Sequence, residues 1–132
     1  MEWIGLGTAI VGGTDGIGGG IAWNGSRWLV VGGSTFVGAN SFASSTDGIN
    51  WDVGGSVNGF AATSVLANFR GIAWNGVRWI ATGLATPITR NICYSTDGSS
   101  WTGIGQTIFS TQGFGVAWNG VRFVAVGSGT NT

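Results

Sequence analysis

The chain has few titratable side chains: only 8% of its 132 residues are charged, and lysine and histidine do not occur. Globular proteins usually carry about 25% charged residues, so much of this surface must be uncharged or covered by another chain. The absence of histidine removes the usual proton shuttle near neutral pH and the commonest metal ligand. The absence of lysine excludes a P-loop and a Schiff base.

The formal net charge is zero, because the chain has five arginines and five acidic residues. No basic face is available for nucleic acid or for an anionic membrane. No apolar run reaches the roughly 18 to 20 residues of a membrane-spanning helix, and the N-terminus lacks the basic leader and apolar core of a signal peptide. We expect a soluble protein without nucleic-acid or membrane partners, and its compartment is left open.

Cysteine occurs once, as Cys93, so neither an intrachain disulfide nor a cysteine-based metal site is predicted. Its neighbours Ile92 and Tyr94 are apolar or aromatic, a setting typical of a small buried hydrophobic residue rather than a reactive thiol. The sequence therefore predicts no metal and no cofactor.

Glycine is abundant, at 27 residues, and each interior glycine costs a helix about 1 kcal/mol relative to alanine. The phrase Ala-Trp-Asn-Gly-x-Arg followed by Trp or Phe stands at 22–28, 73–79 and 117–123. A spacing of this size marks copies of one supersecondary unit that stack on one another. We expect an all-β repeat protein.

Each Asn-Gly pair stands between an apolar run and an aromatic-rich one, which predicts a two-residue hairpin turn with a positive φ. The outgoing strands at 28–31, 79–81 and 123–126 are apolar at consecutive positions. That pattern is typical of strands covered on both faces. Sheets stacked face to face would supply the cover.

A second phrase, Ser-Thr-Asp-Gly-x-x-Trp, stands at 45–51 and 95–101. Its Asp-Gly pair predicts another tight turn. One repeat then holds four short antiparallel strands in roughly 45 to 50 residues, the size of a propeller blade.

This second phrase is similar to the Asp-box of sialidase-like β-propellers, with one residue fewer between Ser and Trp. In that family the Ser, Asp, Gly and Trp of the box stabilise a hairpin on the outer edge of a blade, away from any active site. Together with the Ala-Trp-Asn-Gly phrase, the chain resembles tandem-repeat propellers of the non-catalytic type from Trp3 to Gly127. The resemblance implies a fold and says little about function.

The order of the units predicts about three blade-equivalents. Residues 1–19 are interpreted as the last strand of a shared blade plus a connector, 20–70 as one blade, 71–114 as a second, and 115–132 as the first hairpin of the shared blade. Since propellers have about four to eight blades, three do not close a ring. We expect a homodimer of six blades in which each first strand completes the other chain's last blade. The alternatives are a segment of a longer repeat array and a β-trefoil, which would need a third Asp-Gly box.

Residues at fixed repeat positions are interpreted as scaffold. They are Trp23, Asn24, Gly25, Arg27, Asp47, Gly48, Trp51, Trp74, Asn75, Gly76, Arg78, Asp97, Gly98, Trp101, Trp118, Asn119, Gly120 and Arg122. The three repeat arginines are expected to pair with the box aspartates or to stack on a repeat tryptophan. The functional alternative is that they are arranged around a ring and bind an anion. Arg70 and Arg90 lie outside the pattern, in the variable segments 66–71 and 86–91, and are the candidates for ligand contact.

Catalysis is not expected. In the resembled family, sialidase-type hydrolysis uses an arginine cluster, a Tyr nucleophile with a Glu partner, and an Asp acid/base. Here Tyr94 abuts a box and Glu2 lies at the terminus. Ordinary glycosidases need two carboxylates flanking the bond, and Asp15 and Asp52 have no supporting motif.

Binding or scaffolding remains as the function. Eight tryptophans offer aromatic platforms for the apolar faces of sugar rings. The leading hypothesis is a non-enzymatic propeller module that self-associates and serves carbohydrate or protein recognition. The alternative is a purely structural repeat segment of a larger surface or fibre protein, and a glycoside hydrolase is third.

Overall fold

The computed structural model describes residues 11, 16–33, 41–54, 56–57, 60–61, 66–86, 90–105 and 107–129. All regular structure in these ranges is β-strand, so the all-β prediction is confirmed. The strands are β1 (Ile17–Trp23), β2 (Trp28–Gly33), β3 (Phe42–Ser45), β4 (Asp52–Val53), β5 (Ser56–Val57), β6 (Phe60–Ala61), β7 (Leu66–Trp74), β8 (Trp79–Thr86), β9 (Ile92–Ser95), β10 (Ser100–Gly105), β11 (Gln112–Trp118) and β12 (Phe123–Ser128).

Ten of these strands belong to one sheet, in the order β4-β3-β2-β7-β8-β9-β10-β5-β6 with β1 beside β2, and β11 and β12 form a separate hairpin. The sheet curls into a half-barrel, and discrete propeller blades are not detected among the described residues. Strands β1 to β4 are antiparallel neighbours in chain order, and so are β7 to β10. We refer to β1–β4, β7–β10 and β11–β12 as the first, second and third repeats.

The three repeat hairpins share one register. Each closes on an aromatic pair with ring centroids 4.8 to 4.9 Å apart. Each also has a bulge in its first strand directly before the matching glycine, Gly20, Gly71 or Gly115. The closing pairs are Trp23 with Trp28, Trp74 with Trp79, and Trp118 with Phe123. Strand β1 begins at Ile17, earlier than the predicted blade start at residue 20, while the rest of the predicted first strand and connector, apart from residues 11 and 16, lies outside the described residues.

The first strands of the three hairpins lie side by side, β7 between β1 and β11. Glycine permits this approach, because a Cβ on Gly71 would stand 2.8 Å from the Gly115 Cα and 2.8 Å from the Thr82 Oγ1. Any larger residue at position 71 would push β11 away from β7.

The main core lies between the first and second repeats. Leu29, Val31 and Phe42 come from the first, and Phe69, Ile72, Trp79, Ala81, Cys93 and Trp101 from the second. Phe42 stacks on Trp101 with ring centroids 4.6 Å apart and an interplanar angle of 19°. Cys93 is fully buried, as predicted, and burial raises the pKa of its thiol.

The prediction of strands covered on both faces is confirmed only for the second repeat. Residues 79–81 of β8 are all buried, whereas β2 and β12 alternate between covered and exposed positions at 28–31 and 123–126. The second repeat is covered twice because it lies between the other two, each of which has one neighbour.

Candidate functional site

The first Asp-box, residues 45–51, is a hairpin turn built around one carboxylate. The Oδ1 atom of Asp47 accepts the backbone N–H groups of Ile49 and Asn50, each at 2.8 Å. Gly48 takes a φ of +75°, a left-handed conformation that glycine adopts without steric cost. The Trp51 Nε1 donates to the Gly48 carbonyl at 3.2 Å and closes the turn.

The second box, residues 95–101, repeats this geometry. Asp97 Oδ1 accepts the backbone N–H groups of Ser99 and Ser100 at 2.8 Å, and Trp101 Nε1 donates to the Gly98 carbonyl at 3.2 Å. Hydrogen bonds to the ionised form favour it, and in both boxes backbone donors hold the carboxyl pKa well below its usual range. These carboxylates are ionised acceptors committed to their turns, which disfavours an acid/base role.

The Asn-Gly turns differ from the predicted two-residue hairpin. Strand pairing stops at the closing aromatic pair, and in the first repeat the Asn24 N–H donates to the Arg27 carbonyl at 3.2 Å. The Arg27 N–H donates at 2.7 Å to the Asn24 side chain and not to its carbonyl, because a side-chain amide competes locally with the backbone. The positive φ is confirmed at Gly25, Gly76 and Gly120, where it lies between 94° and 99°.

Among the described residues, the repeat arginines make neither an ion pair with a box aspartate nor a stacking contact with a repeat tryptophan. In the second repeat the Arg78 guanidinium lies over the Tyr94 ring, 5.4 Å from its centroid. The register of β8 and β9 pairs Ile80 with Tyr94, which puts Tyr94 on the same face of the sheet as Arg78. Tyr94 is absent from the repeat phrases, so the phrases alone gave no sign of this contact.

The first repeat has a serine, Ser44, at the place of Tyr94. A polar hollow of about 370 Å³ opens there, lined by Arg27, Ser44, Asp47, Asn50 and Asp52 among others. Within the described residues no ion pair joins Arg27 to either aspartate. A guanidinium and two carboxylates thus line one cavity.

Arg70 and Arg90 lie apart from this hollow. Arg70 is on strand β7 and not in a loop, and its guanidinium stands 5.8 Å from the Phe114 ring centroid. Arg90 lies across Gly103, where an added Cβ would meet its side chain at 2.5 to 3.0 Å. Their role in ligand contact stays a prediction. Glu2 and Asp15 lie outside the described residues.

Two apolar faces are exposed at opposite ends of the repeat series. The leading face, on β1 and β2, consists of Ile21, Trp23, Trp28 and Val30; the trailing face, on β11 and β12, consists of Ala117, Val124 and Val126. Trp28 is 37% exposed, whereas Trp79 at the same repeat position is 1% exposed. Val124 is 56% exposed, whereas its counterpart Leu29 is fully buried.

No family model, curated protein or solved structure matches this chain. In the described part of the chain, no group of three or more His, Cys, Asp or Glu side chains is arranged to hold a metal ion. Nor does that part contain a helix of the length and apolarity needed to cross a membrane.

Proposed function

We propose that the chain is a non-enzymatic repeat module that self-associates, the leading face of one copy packing on the trailing face of the next. Two copies joined in this way place six repeat hairpins around one axis, which makes a six-bladed propeller the proposed assembly. Contacts of one face with a different face are heterologous, and they close into a ring when the rotation allows it.

The main support for this proposal is that the equivalent faces of the first and second repeats already pack against each other inside the chain. The second-repeat counterparts of the leading face are Ile72, Trp74, Trp79 and Ala81, which pack in or against the core. They meet Leu29 and Val31, the first-repeat counterparts of Val124 and Val126. A second copy therefore repeats a contact that the chain already makes internally.

The exposure of large apolar side chains on the leading face also favours an interface there. Contiguous apolar patches on soluble proteins mark interaction sites or aggregation liabilities, and the leading face joins two tryptophans whose ring centroids are 4.9 Å apart. A groove of about 210 Å³ beside Gly19, Ile21 and Val30 continues this face.

Charge substitutions test the pairing of the two faces. Trp28→Arg and Val124→Arg should each abolish association in sedimentation equilibrium, because every contact needs one face of each kind. Mixing the two variants should restore a heterodimer through the one junction where an intact leading face meets an intact trailing face. This heterodimer should be weaker than the unchanged dimer, because its other junction carries both arginines. Val121→Arg is the control: Val121 is 75% exposed at a turn and belongs to neither face. Failure of the mixture to associate would contradict the heterologous arrangement.

The polar hollow supports a second function, carbohydrate recognition. Arg27 can donate to sugar hydroxyls and Asp52 can accept from them. In the second repeat Tyr94 stands at the place of Ser44, and Arg78 lies over its ring. Titration of a panel of methyl pyranosides, followed by NMR, should show saturable shifts that Arg27→Ala removes and Arg78→Ala leaves. Absence of shifts from the whole panel would favour the purely structural repeat segment.

A further inference from the structure

An apolar cavity of about 330 Å³ lies between the second and third repeats. Its walls are Ile80 and Ile92 from the second repeat and Val116, Phe123 and Ala125 from the third. Two partly exposed isoleucines, Ile104 and Ile108, line the cavity as well. An open apolar space of this size loses the contacts that a filled core would make.

The preceding repeat interface shows what fills such a space. The five wall residues are the repeat counterparts of Leu29, Phe42, Ile72, Trp79 and Ala81, all of which belong to one core cluster. That cluster also contains Trp101 of the second Asp-box, which stacks on Phe42 and is 2% exposed. No tryptophan is among the residues that line the cavity between the second and third repeats. The cavity therefore lies where the Trp101 indole stands in the preceding repeat interface.

The N-terminal segment carries a matching tryptophan. Residues 3–7 read Trp-Ile-Gly-Leu-Gly, and residues 101–105 read Trp-Thr-Gly-Ile-Gly. The two stretches share the tryptophan, both glycines and a branched apolar residue at the fourth place. We infer that Trp3 of one copy fills the cavity between the second and third repeats of the next copy.

This inference rests on the proposed self-association. Where a leading face meets a trailing face, the first repeat of one copy lies beside the third repeat of its neighbour. In the sequence the N-terminal segment directly precedes strand β1, just as residues 101–105 precede strand β11. Trp3 would then add a buried aromatic anchor, the kind of residue that dominates interface energetics.

The association constant tests this role of Trp3. Trp3→Ala should weaken the association of the full chain by about 30-fold or more in sedimentation equilibrium, the effect typical of a buried tryptophan hot spot. Ile4→Ala is the matched control and should change it little, because Thr102, the counterpart of Ile4, is exposed. If the unchanged chain is monomeric, the proposed function fails. If it associates and Trp3→Ala associates equally well, the assignment of Trp3 is overturned and self-association stands.

A mixture of labelled and unlabelled copies shows which residue occupies the cavity between the second and third repeats. One copy carries labelled isoleucine methyl groups and the other is unlabelled, and isotope-filtered NOEs then report only contacts between copies. The expected result is NOEs from the Trp3 indole to the methyl groups of Ile80 and Ile92, which Trp3→Ala removes. The absence of NOEs between copies from Trp3, or NOEs from Trp3 only to other isoleucines of the neighbour, would overturn the assignment.

Discussion

The second and third repeats carry the same six residues, Ala-Trp-Asn-Gly-Val-Arg, at 73–78 and 117–122, yet their hairpins differ in burial. Trp79 after the first of these stretches is fully buried, whereas Phe123 after the other is half-buried and Val124 is exposed. Both turns have the same Asn hydrogen bonds and the same glycine conformation. Local sequence determines the hairpin, and the neighbouring repeat determines which of its faces is covered.

Alanine substitution should change the free energy of unfolding very differently at the two repeat tryptophans Trp79 and Trp28. Trp79→Ala should lower the free energy of unfolding by about 3 to 5 kcal/mol, the usual cost of removing a large buried side chain. Trp28→Ala should cost less than half as much in dilute solution, because Trp28 remains partly exposed in the single chain. Urea denaturation at low protein concentration measures both values.

The stability costs of Trp28→Ala and Trp79→Ala should also depend differently on protein concentration. When association covers the leading face, the cost of Trp28→Ala should rise with protein concentration, since association stabilises the folded state by mass action. The cost of Trp79→Ala should not. Equal costs for both variants at every concentration would contradict the difference in burial.

A smaller effect distinguishes the two Asp-boxes. Asp97→Asn should destabilise the chain more than Asp47→Asn, because the second box positions the buried Trp101 and the first positions the half-buried Trp51. The free energy of unfolding at neutral pH tests the order. Thr46→Ala, on an exposed residue of the first turn, serves as the control and should change little.

Acid should destabilise the chain by protonating the carboxylates of Asp47 and Asp97. Their folded pKa lies below the unfolded value near 3.8, so the unfolded chain binds more protons as the pH falls through that value. The stability that they contribute is complete above pH 3.8 and is lost below it. Urea midpoints should therefore fall steeply in acid for the unchanged chain and less steeply for Asp97→Asn. Parallel profiles would contradict this account of the turns.

The smallest expected effect concerns the turn glycines. Gly76→Ala should cost about 1 to 2 kcal/mol, because position 76 has a φ of +94° and no atom stands within 4 Å of an added Cβ. Gly120→Ala should cost about the same, since conformational strain does not depend on the neighbouring repeat. Thermal unfolding of the two variants checks this equality, and a large difference would show that the turns are not equivalent.

The sequence predicted the repeat strands and the positive φ of the turn glycines, because periodic phrases report local conformation. The side-chain hydrogen bonds of the Asn-Gly turns were not predicted. Trp23 and Trp74 occupy matching hairpin positions in the structure, as their spacing indicated. The exposure of Trp28 was not predicted, because it depends on which repeats flank a hairpin. The contact of Arg78 with Tyr94 was also missed, since it joins a scaffold position to a variable one across two strands.

Sedimentation equilibrium of the unchanged chain shows whether leading and trailing faces join. Joining leading to trailing faces predicts a reversible association that ends at twice the 13.4 kDa chain mass, with no larger species as the concentration rises. A chain that keeps its single mass at all concentrations, or a mass that grows without limit, would contradict the closed assembly.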